Sequence, residues 1–424
     1  MHYIFPYSNI SGLEISGQNE TRIYEVKAEA APEDPLRLIE ESLARPIGME
    51  RFSKILSPAH KVLIIIDDIS RPTPVRLILP PLLEELGLSG VKAANIRLLI
   101  ALGTHRPMTA AEIELKVGPE IARTYPVLNH QWDDPGALYD YGRLDDGTPV
   151  ILNKQMAWAD FVIGVGSIAP HPAAGFSGGG KIIAPGVATE AAVGEFHWKS
   201  VHFPEREVLG VRDNPMRRII DAIAAKAGLS AIVNVIADGR QRIVKVVTGD
   251  PVQAHRVGCE YALDLFGVKV DPDWRAEIYI ADSHPMDQEM WQAVKGICAL
   301  DVMAPDGAVV ILVTPCPEGV SQMHPEILKY GYVSLAEAGR LIRDENLSKV
   351  AAHNMVQGGR LIRRTTAFLV SPGISASEAE KLGFRYFATP QEALDEALRL
   401  KGDRVKIGIL RMGGDLCPIL ENRP

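Results

Sequence analysis

Apolar residues in this chain fall into short unbroken runs more often than into alternating positions. The clearest runs are Val62–Ile66, Ile96–Leu102, Phe161–Val165, Ile278–Ala281, Ala308–Val313, Ala367–Val370 and Val405–Leu410. Runs of this length suit strands covered on both faces, as in parallel sheets. Amphipathic stretches of helical length lie between many of them. Pro390–Leu400, for example, places Ala393, Leu394, Ala397 and Leu398 on one side. Thr109-Ala-Ala-Glu112 reads as a capping box and predicts a helix beginning shortly after His105. The alternation predicts an α/β fold with mainly parallel sheets and right-handed crossovers.

A chain of 424 residues is too long for one core and predicts two domains. The segment Val268-Lys-Val-Asp-Pro-Asp-Trp274 follows a helix and precedes a fresh strand. It sets the expected boundary, with residues 1–270 in an N-terminal α/β domain and 271–403 in a C-terminal one. Residues 404–424 carry the last strand and are free to return and complete the first domain.

Ligands of open α/β sheets bind beyond the carboxyl ends of the strands. There the chain is polar. Asp67-Asp68-Ile-Ser70-Arg71-Pro follows the first run and Gly103-Thr-His105-Arg-Pro the second. Gly166-Ser-Ile-Ala-Pro-His171 follows the third. Asp282-Ser-His-Pro-Met-Asp follows the fourth and leads into a helix carrying Trp291, Gln292 and Lys295. Singly, each has an ordinary explanation: Asp68 as a cap, Arg71 as a turn residue, His105 as a loop histidine, Gln292 and Lys295 as one solvated helix face. Four successive strand ends with ionisable or amide groups predict a shared cleft between the domains.

Composition removes several classes. Net charge is −8 with no basic run, so no nucleic-acid footprint is visible. The four cysteines, Cys259, Cys298, Cys316 and Cys417, are scattered, which argues against a disulfide framework and a thiolate zinc site. No apolar run approaches membrane-spanning length and no leader-like pattern opens the sequence, so a cytoplasmic location is expected.

Gly175-Phe-Ser-Gly-Gly-Gly-Lys181 matches the first seven positions of a phosphate-binding G-x-x-x-x-G-K loop. Ile182 replaces the Ser or Thr that would hold magnesium, and Pro185 follows too soon for a long helix. A nucleoside triphosphatase is therefore a poor reading. A backbone rich in N–H donors and a lysine amine remain, able to cradle a phosphate or to act as a nucleophile. His197 lies in Gly194-Glu-Phe-His-Trp-Lys-Ser-Val-His202, five residues from the next histidine, which is not zinc-pair spacing. One imidazole becomes a good metal site when a bound cofactor supplies the other ligands.

Together Asp68-Ile-Ser-Arg71-Pro, Gly103-Thr-His105-Arg-Pro, His171-Pro, Gly178-Gly-Gly-Lys181, Phe196-His197 and Gln292-Ala-Val-Lys295-Gly resemble the nickel-pincer lactate racemase family, in order and spacing, over more than half the chain. The resemblance implies two α/β domains with the site between them. It also implies a nickel pincer nucleotide, a pyridinium mononucleotide whose two sulfur-bearing arms and ring carbon hold nickel. Lys181 would be its covalent attachment point and His197 the nickel ligand, with Asp68 and Trp291 against the cofactor. His105 and His171 would be the acid/base pair, and Arg71, Gln292 and Lys295 would hold a small 2-hydroxy acid. The implied reaction inverts C2 by reversible hydride transfer through a 2-keto acid, because the C2–H is far too weak an acid for histidine. Proteins that build the cofactor are implied partners, and homo-oligomerisation stays open. Trp291 stands where the lactate enzymes of that family carry Tyr, and the larger ring reshapes the side-chain pocket. The contrasting reading is a non-catalytic nucleotide- or metal-binding module built on the glycine-rich loop. A hydrolytic metalloenzyme would need further protein ligands beside His197.

Overall fold

The computed structural model describes residues 1–27 and 34–420. Two six-stranded sheets organise them. The first runs in the order Ile243–Gly249, Leu229–Ala237, Phe161–Ser167, Val62–Asp67, Ile96–Ala101 and Val127–Asn129. All its pairings are parallel except that of the edge strand Ile243–Gly249. The second runs Arg385–Phe387, Thr366–Val370, Val309–Val313, Ile278–Asp282, Lys406–Leu410 and Glu20–Tyr24, parallel throughout.

The unbroken apolar runs are explained by what covers each face. In Val62–Asp67, Leu63 and Ile65 enter one core while Val62, Ile64 and Ile66 enter another on the opposite side. In Ile278–Asp282, Tyr279 and Ala281 face one core, and Ile278 and Ile280 the other. With both faces dry, no position can be polar, so period-two alternation disappears. Thr109 caps the helix Ala110–Val117 and completes the box with Glu112. Pro390–Lys401 is a helix burying Ala393, Leu394 and Ala397. All four cysteines are buried and reduced. No helix among the described residues is long and apolar enough to cross a membrane.

Two features of the chain's path differ from the linear division read from sequence. The last long strand does not complete the first sheet. Lys406–Leu410 inserts between Ile278–Asp282 and Glu20–Tyr24 in the second. The N-terminal strand Glu20–Tyr24 therefore also belongs to the second sheet, and the chain reaches its first sheet only afterwards. A parallel edge needs a partner with matching apolar residues, and Ile407 and Ile409 supply them to a core already containing Ile278 and Ile280. Residues 421–424 lie outside the described residues.

Candidate active site

The loop after Val62–Asp67 is braced from beneath. The buried Lys116 ammonium lies 2.8 Å from Asp67 and donates to the carbonyls of Arg71 and Thr73 at 2.9 and 3.3 Å. This leaves Arg71 exposed at the cleft rim and turns Asp68 inward, where it is buried. Asp68 Oδ2 lies 2.6 Å from His105 Nδ1, and its other oxygen accepts from the Ser70 amide and hydroxyl. Burial pushes the Asp68 carboxyl up, but the hydrogen bond from His105, its charge and the Ser70 bond outweigh this, so the net displacement is downward. A carboxylate there fixes the proton on His105 Nδ1 and leaves Nε2 as a base. Asp68→Asn would favour the opposite tautomer. It is expected to lower turnover by about 100-fold or more with the fold intact, checked by kinetics alongside thermal unfolding.

The glycine-rich stretch is no open cradle. It is a cross-braced turn packed against the first sheet. Gly179 N–H donates to Asn234 Oδ1 at 2.8 Å, and His255 Nε2 lies 2.9 Å from the Ser177 carbonyl. The buried Arg217 guanidinium donates to the carbonyls of Phe176 and Gly178. Gly178 and Gly179 have φ of 72° and 58°, and a Cβ on either would lie 2.7 Å from Asn234 or His255 respectively. Both left-handed backbone and close approach thus demand glycine here. The stretch continues as a single 3-10 turn, Gly179–Ile182, that delivers Lys181 to the cleft.

His171 comes from the short strand pair that precedes this turn. Its Nδ1 accepts from the Ala173 amide at 3.1 Å, which leaves the proton of the neutral ring on Nε2. His197 lies on the helix Glu190–Ser200, capped by Thr189. Its Nδ1 donates to the Val193 carbonyl at 2.8 Å, so the Nε2 lone pair is free. That arrangement is the usual one for a metal-binding imidazole.

The second unit faces these groups with the helix Met290–Met303, whose Gln292 and Lys295 sit one turn apart. Trp291 stacks on His324, with ring centres 4.2 Å apart and planes 24° apart. His324 also feels the charge of His105 and of His197, so it lies in the same cleft.

Electrostatics ties both sides into one site. Burial lowers the Lys181 amine to about 7, helped by the positive charges of Arg71, Lys295 and Arg217. Burial and Arg71 likewise lower Lys295 to about 8, against the opposing pull of Asp415. Burial first, then Lys181, Lys295, Arg71 and His197, hold His171 well below the ordinary histidine value. Burial lowers His197 to about 4, although its bond to Val193 opposes this. Cations repel one another here, and among the described residues no carboxylate lies within ion-pair distance of Lys181, Lys295 or Arg71, although Asp415 pulls on Lys295; such a site favours an anion.

A neutral amine at neutral pH is a nucleophile. In the cofactor-free chain, Lys181 is expected to react with an amine-directed acylating reagent with a midpoint near pH 7. An ordinary lysine, with a pKa of ~10.4, is only about a thousandth deprotonated at pH 7.5. Peptide mapping of labelling between pH 6 and 9 checks this; uniform labelling of all lysines contradicts it.

The structure therefore brings together Arg71, His171, Lys181, His197 and Lys295, with Asp68 and His105 at one rim and Trp291 and Gln292 on the opposing helix. Sequence reading overlooked His324, His353 and Asp415. Each lies far along the chain from the motifs, and only Asp415, after two glycines, carries a local hint. Among the described residues no group of three or more His, Cys, Asp or Glu could hold a metal.

Such a fold and site define a two-domain α/β protein with an anion-receptive, lysine-bearing cleft. Two family models match the chain, the lactate racemase N-terminal domain over residues 8–208 and the lactate racemase C-terminal domain over 273–415. The chain belongs to the lactate racemase family. A lactate racemase of Thermoanaerobacterium thermosaccharolyticum is 33% identical over 285 residues, and one of Lactiplantibacillus plantarum is 33% identical over 288. In both cases the match spans 66% of this chain and 66% of the relative, just short of two thirds. The solved lactate racemase apoprotein of T. thermosaccharolyticum superposes with a TM-score of 0.89 at 26% identity, covering 99% of this chain and all (100%) of that one. A Thermotoga maritima protein shares the fold, with a TM-score of 0.70 at 22% identity over 93% of this chain and 100% of that one.

Proposed function

We propose that this protein is a racemase or epimerase that inverts C2 of a small 2-hydroxy acid, using a nickel pincer nucleotide joined to Lys181 and bound through nickel to His197. One observation carries the reading: a neutral lysine amine, an imidazole with a free Nε2 and two further histidines share one cleft with unneutralised cations. The donor set fits the cofactor. Lys181 is nucleophilic near neutrality, as covalent attachment needs, and imidazole with sulfur ligands suits nickel. When bound, the cofactor supplies a reversible hydride acceptor.

The chain's own residues do the rest. Arg71 and Lys295 hold the substrate carboxylate by charge-assisted bonds, and Gln292, one turn from Lys295, orients the hydroxyl end. His105, with its proton held on Nδ1 by Asp68, takes the hydroxyl proton of one enantiomer through Nε2. His171 serves the other enantiomer from the opposite side, taking that hydroxyl proton on Nε2 once its ring gives up the Ala173 amide and carries its own proton on Nδ1. In the reverse direction each returns that proton. The walls of the cleft keep the keto acid in place while it turns its other face. Trp291 and His324 wall the side-chain end.

Lys295→Ala removes one charge-assisted bond, worth about 1.5–3 kcal/mol. It is expected to lower kcat/KM by about 10–100-fold, mostly through KM, as initial-rate kinetics will show. The reading as a whole is tested by mass spectrometry and metal analysis of protein matured with the cofactor-building proteins. One nickel per chain and an added organic mass on the Lys181 peptide are expected. A nucleotide bound without nickel and without a covalent link would favour the non-catalytic nucleotide-binding module instead.

A further inference from the structure

Asp415 is a carboxyl group near the cleft that the reaction scheme leaves unused. It follows the strand Lys406–Leu410, which runs parallel beside Ile278–Asp282 with Leu410 opposite Ala281. Neighbouring parallel strands deliver their following loops to the same end of a sheet. The loop after Ile278–Asp282 leads into the helix Met290–Met303 and its Lys295. The loop after Lys406–Leu410 carries Asp415.

The two loops are locked together. Met412, in left-handed backbone at φ 57°, donates its N–H to both Asp282 carboxylate oxygens, at 3.0 and 3.2 Å. Gly414 N–H donates to the His284 carbonyl at 3.2 Å, and Asp415 N–H to the Met412 carbonyl at 3.0 Å. A Cβ on Gly413 would lie 2.4 Å from the Asp282 carbonyl oxygen. One on Gly414 would lie 2.4 Å from the Ser283 carbonyl oxygen and 3.1 Å from Met286 Cβ. Only glycine lets backbones approach this closely. Met286 in turn accepts a hydrogen bond on its sulfur from Lys295 Nζ, 3.4 Å away. Asp415 therefore follows directly on a glycine that presses on the side chain Lys295 touches.

A thioether is a weak, uncharged acceptor and does little to keep an ammonium charged. The groups facing Lys295 from the first unit oppose its charge: Arg71 repels it, and Lys181 and His171 feel it. Cys298, on the same helix as Lys295, is a neutral thiol, pushed well above its ordinary value by burial. Asp415 is the carboxylate that acts on Lys295. His284 also faces Asp415, but it already pairs with Asp287 at 3.0 Å and feels Asp282. We propose that Asp415 is a positioning residue that keeps the Lys295 ammonium charged for a substrate carboxylate. The proposal rests on Lys295 holding that carboxylate. Because the two do not close an ion pair, the ammonium hydrogens stay free for the substrate, while attraction at longer range opposes burial and Arg71. Burial pushes the Asp415 carboxyl up to about 6, against the pull of Lys295 and His284. It is thus charged above that pH, across the range where Lys295 loses its proton.

The test follows Lys295 in the cofactor-free chain, by the pH dependence of amine acylation read on its peptide. Asp415→Asn should move the labelling midpoint down from about 8, by about one pH unit. Asp415→Glu should restore most of the shift, and Asp415→Ser carries the test if the asparagine variant does not fold. A midpoint unmoved in a folded asparagine or serine variant overturns the proposal. In the cofactor-loaded enzyme the alkaline limb of kcat/KM should move the same way, the effect falling on KM more than on kcat. An equal loss at every pH, with the limb in place, marks a merely structural role and overturns it as well. Lys295→Ala separates the proposal from the reading beneath it. If that variant leaves KM unchanged, Lys295 does not hold the carboxylate and both fail. If it raises KM while Asp415→Asn moves neither midpoint nor limb, only Asp415 is excluded.

Discussion

Replacing either His105 or His171 by alanine is expected to lower turnover by about 10²–10⁴-fold, the usual contribution of a general acid or base, while nickel content and the mass on Lys181 stay unchanged. Racemisation needs a proton removed on one side and returned on the other, so each single variant should fail in both directions. The two imidazoles are prepared differently. Asp68 holds the proton on His105 Nδ1 and exposes Nε2 as a base. The Ala173 amide occupies His171 Nδ1, so the neutral His171 ring presents Nε2–H. Burial and the surrounding cations keep His171 neutral. Arrival of a substrate carboxylate beside Arg71 and Lys295 offsets one of those positive charges. That raises the His171 proton affinity when a proton must be held there. With the carboxylate bound, kcat is expected to depend on a more basic His171 than kcat/KM does, and pH profiles of the two should separate accordingly. Full activity in both alanine variants would falsify the assigned roles.

Lys181→Ala carries the second large effect. Activity is expected to fall to background, and the organic mass and nickel should vanish with it, because His197 and its neighbours lack the ligands to hold nickel alone. Lys181→Arg should behave like the alanine variant. A guanidinium remains protonated at any working pH and cannot form the amide-type link, although it preserves charge. Intact-protein mass measurement and metal analysis after maturation separate this outcome from simple misfolding, which thermal unfolding reports independently. Retained cofactor in Lys181→Ala would contradict covalent attachment.

How much was legible in the sequence depends on whether the signal was local. The strands flanked by strand-end polar residues read directly, since a doubly covered strand has to be an apolar run. Leu229–Ala237 escaped because Ser230 and Asn234 interrupt it, and Asn234 is there to receive the Gly179 amide. The glycines of 175–180 hinted at a phosphate loop, but their cause is steric: Asn234 and His255 press on Gly178 and Gly179. The path of the last strand depended on sheet pairing between residues nearly 400 positions apart, Lys406 with Glu20, which no local pattern encodes. His353 was invisible for a related reason. Its helix, Lys349–Ile362, reads as an ordinary buried one, and only the bonds of that helix to Glu195, Val201 and Glu205 set the imidazole beside His197.

The central claim is that C2 is inverted by a hydrogen that leaves and returns as hydride. The most direct measurement gives matured protein enantiopure 2-hydroxy acids carrying deuterium at C2, in ordinary water, across small, aromatic and dicarboxylic side chains. Conversion of one enantiomer to the other with the deuterium kept at C2 is the predicted result, with the Trp291–His324 wall deciding which side chain is preferred. Inversion accompanied by loss of deuterium to solvent, or no inversion of any acid by nickel-loaded protein, would contradict it.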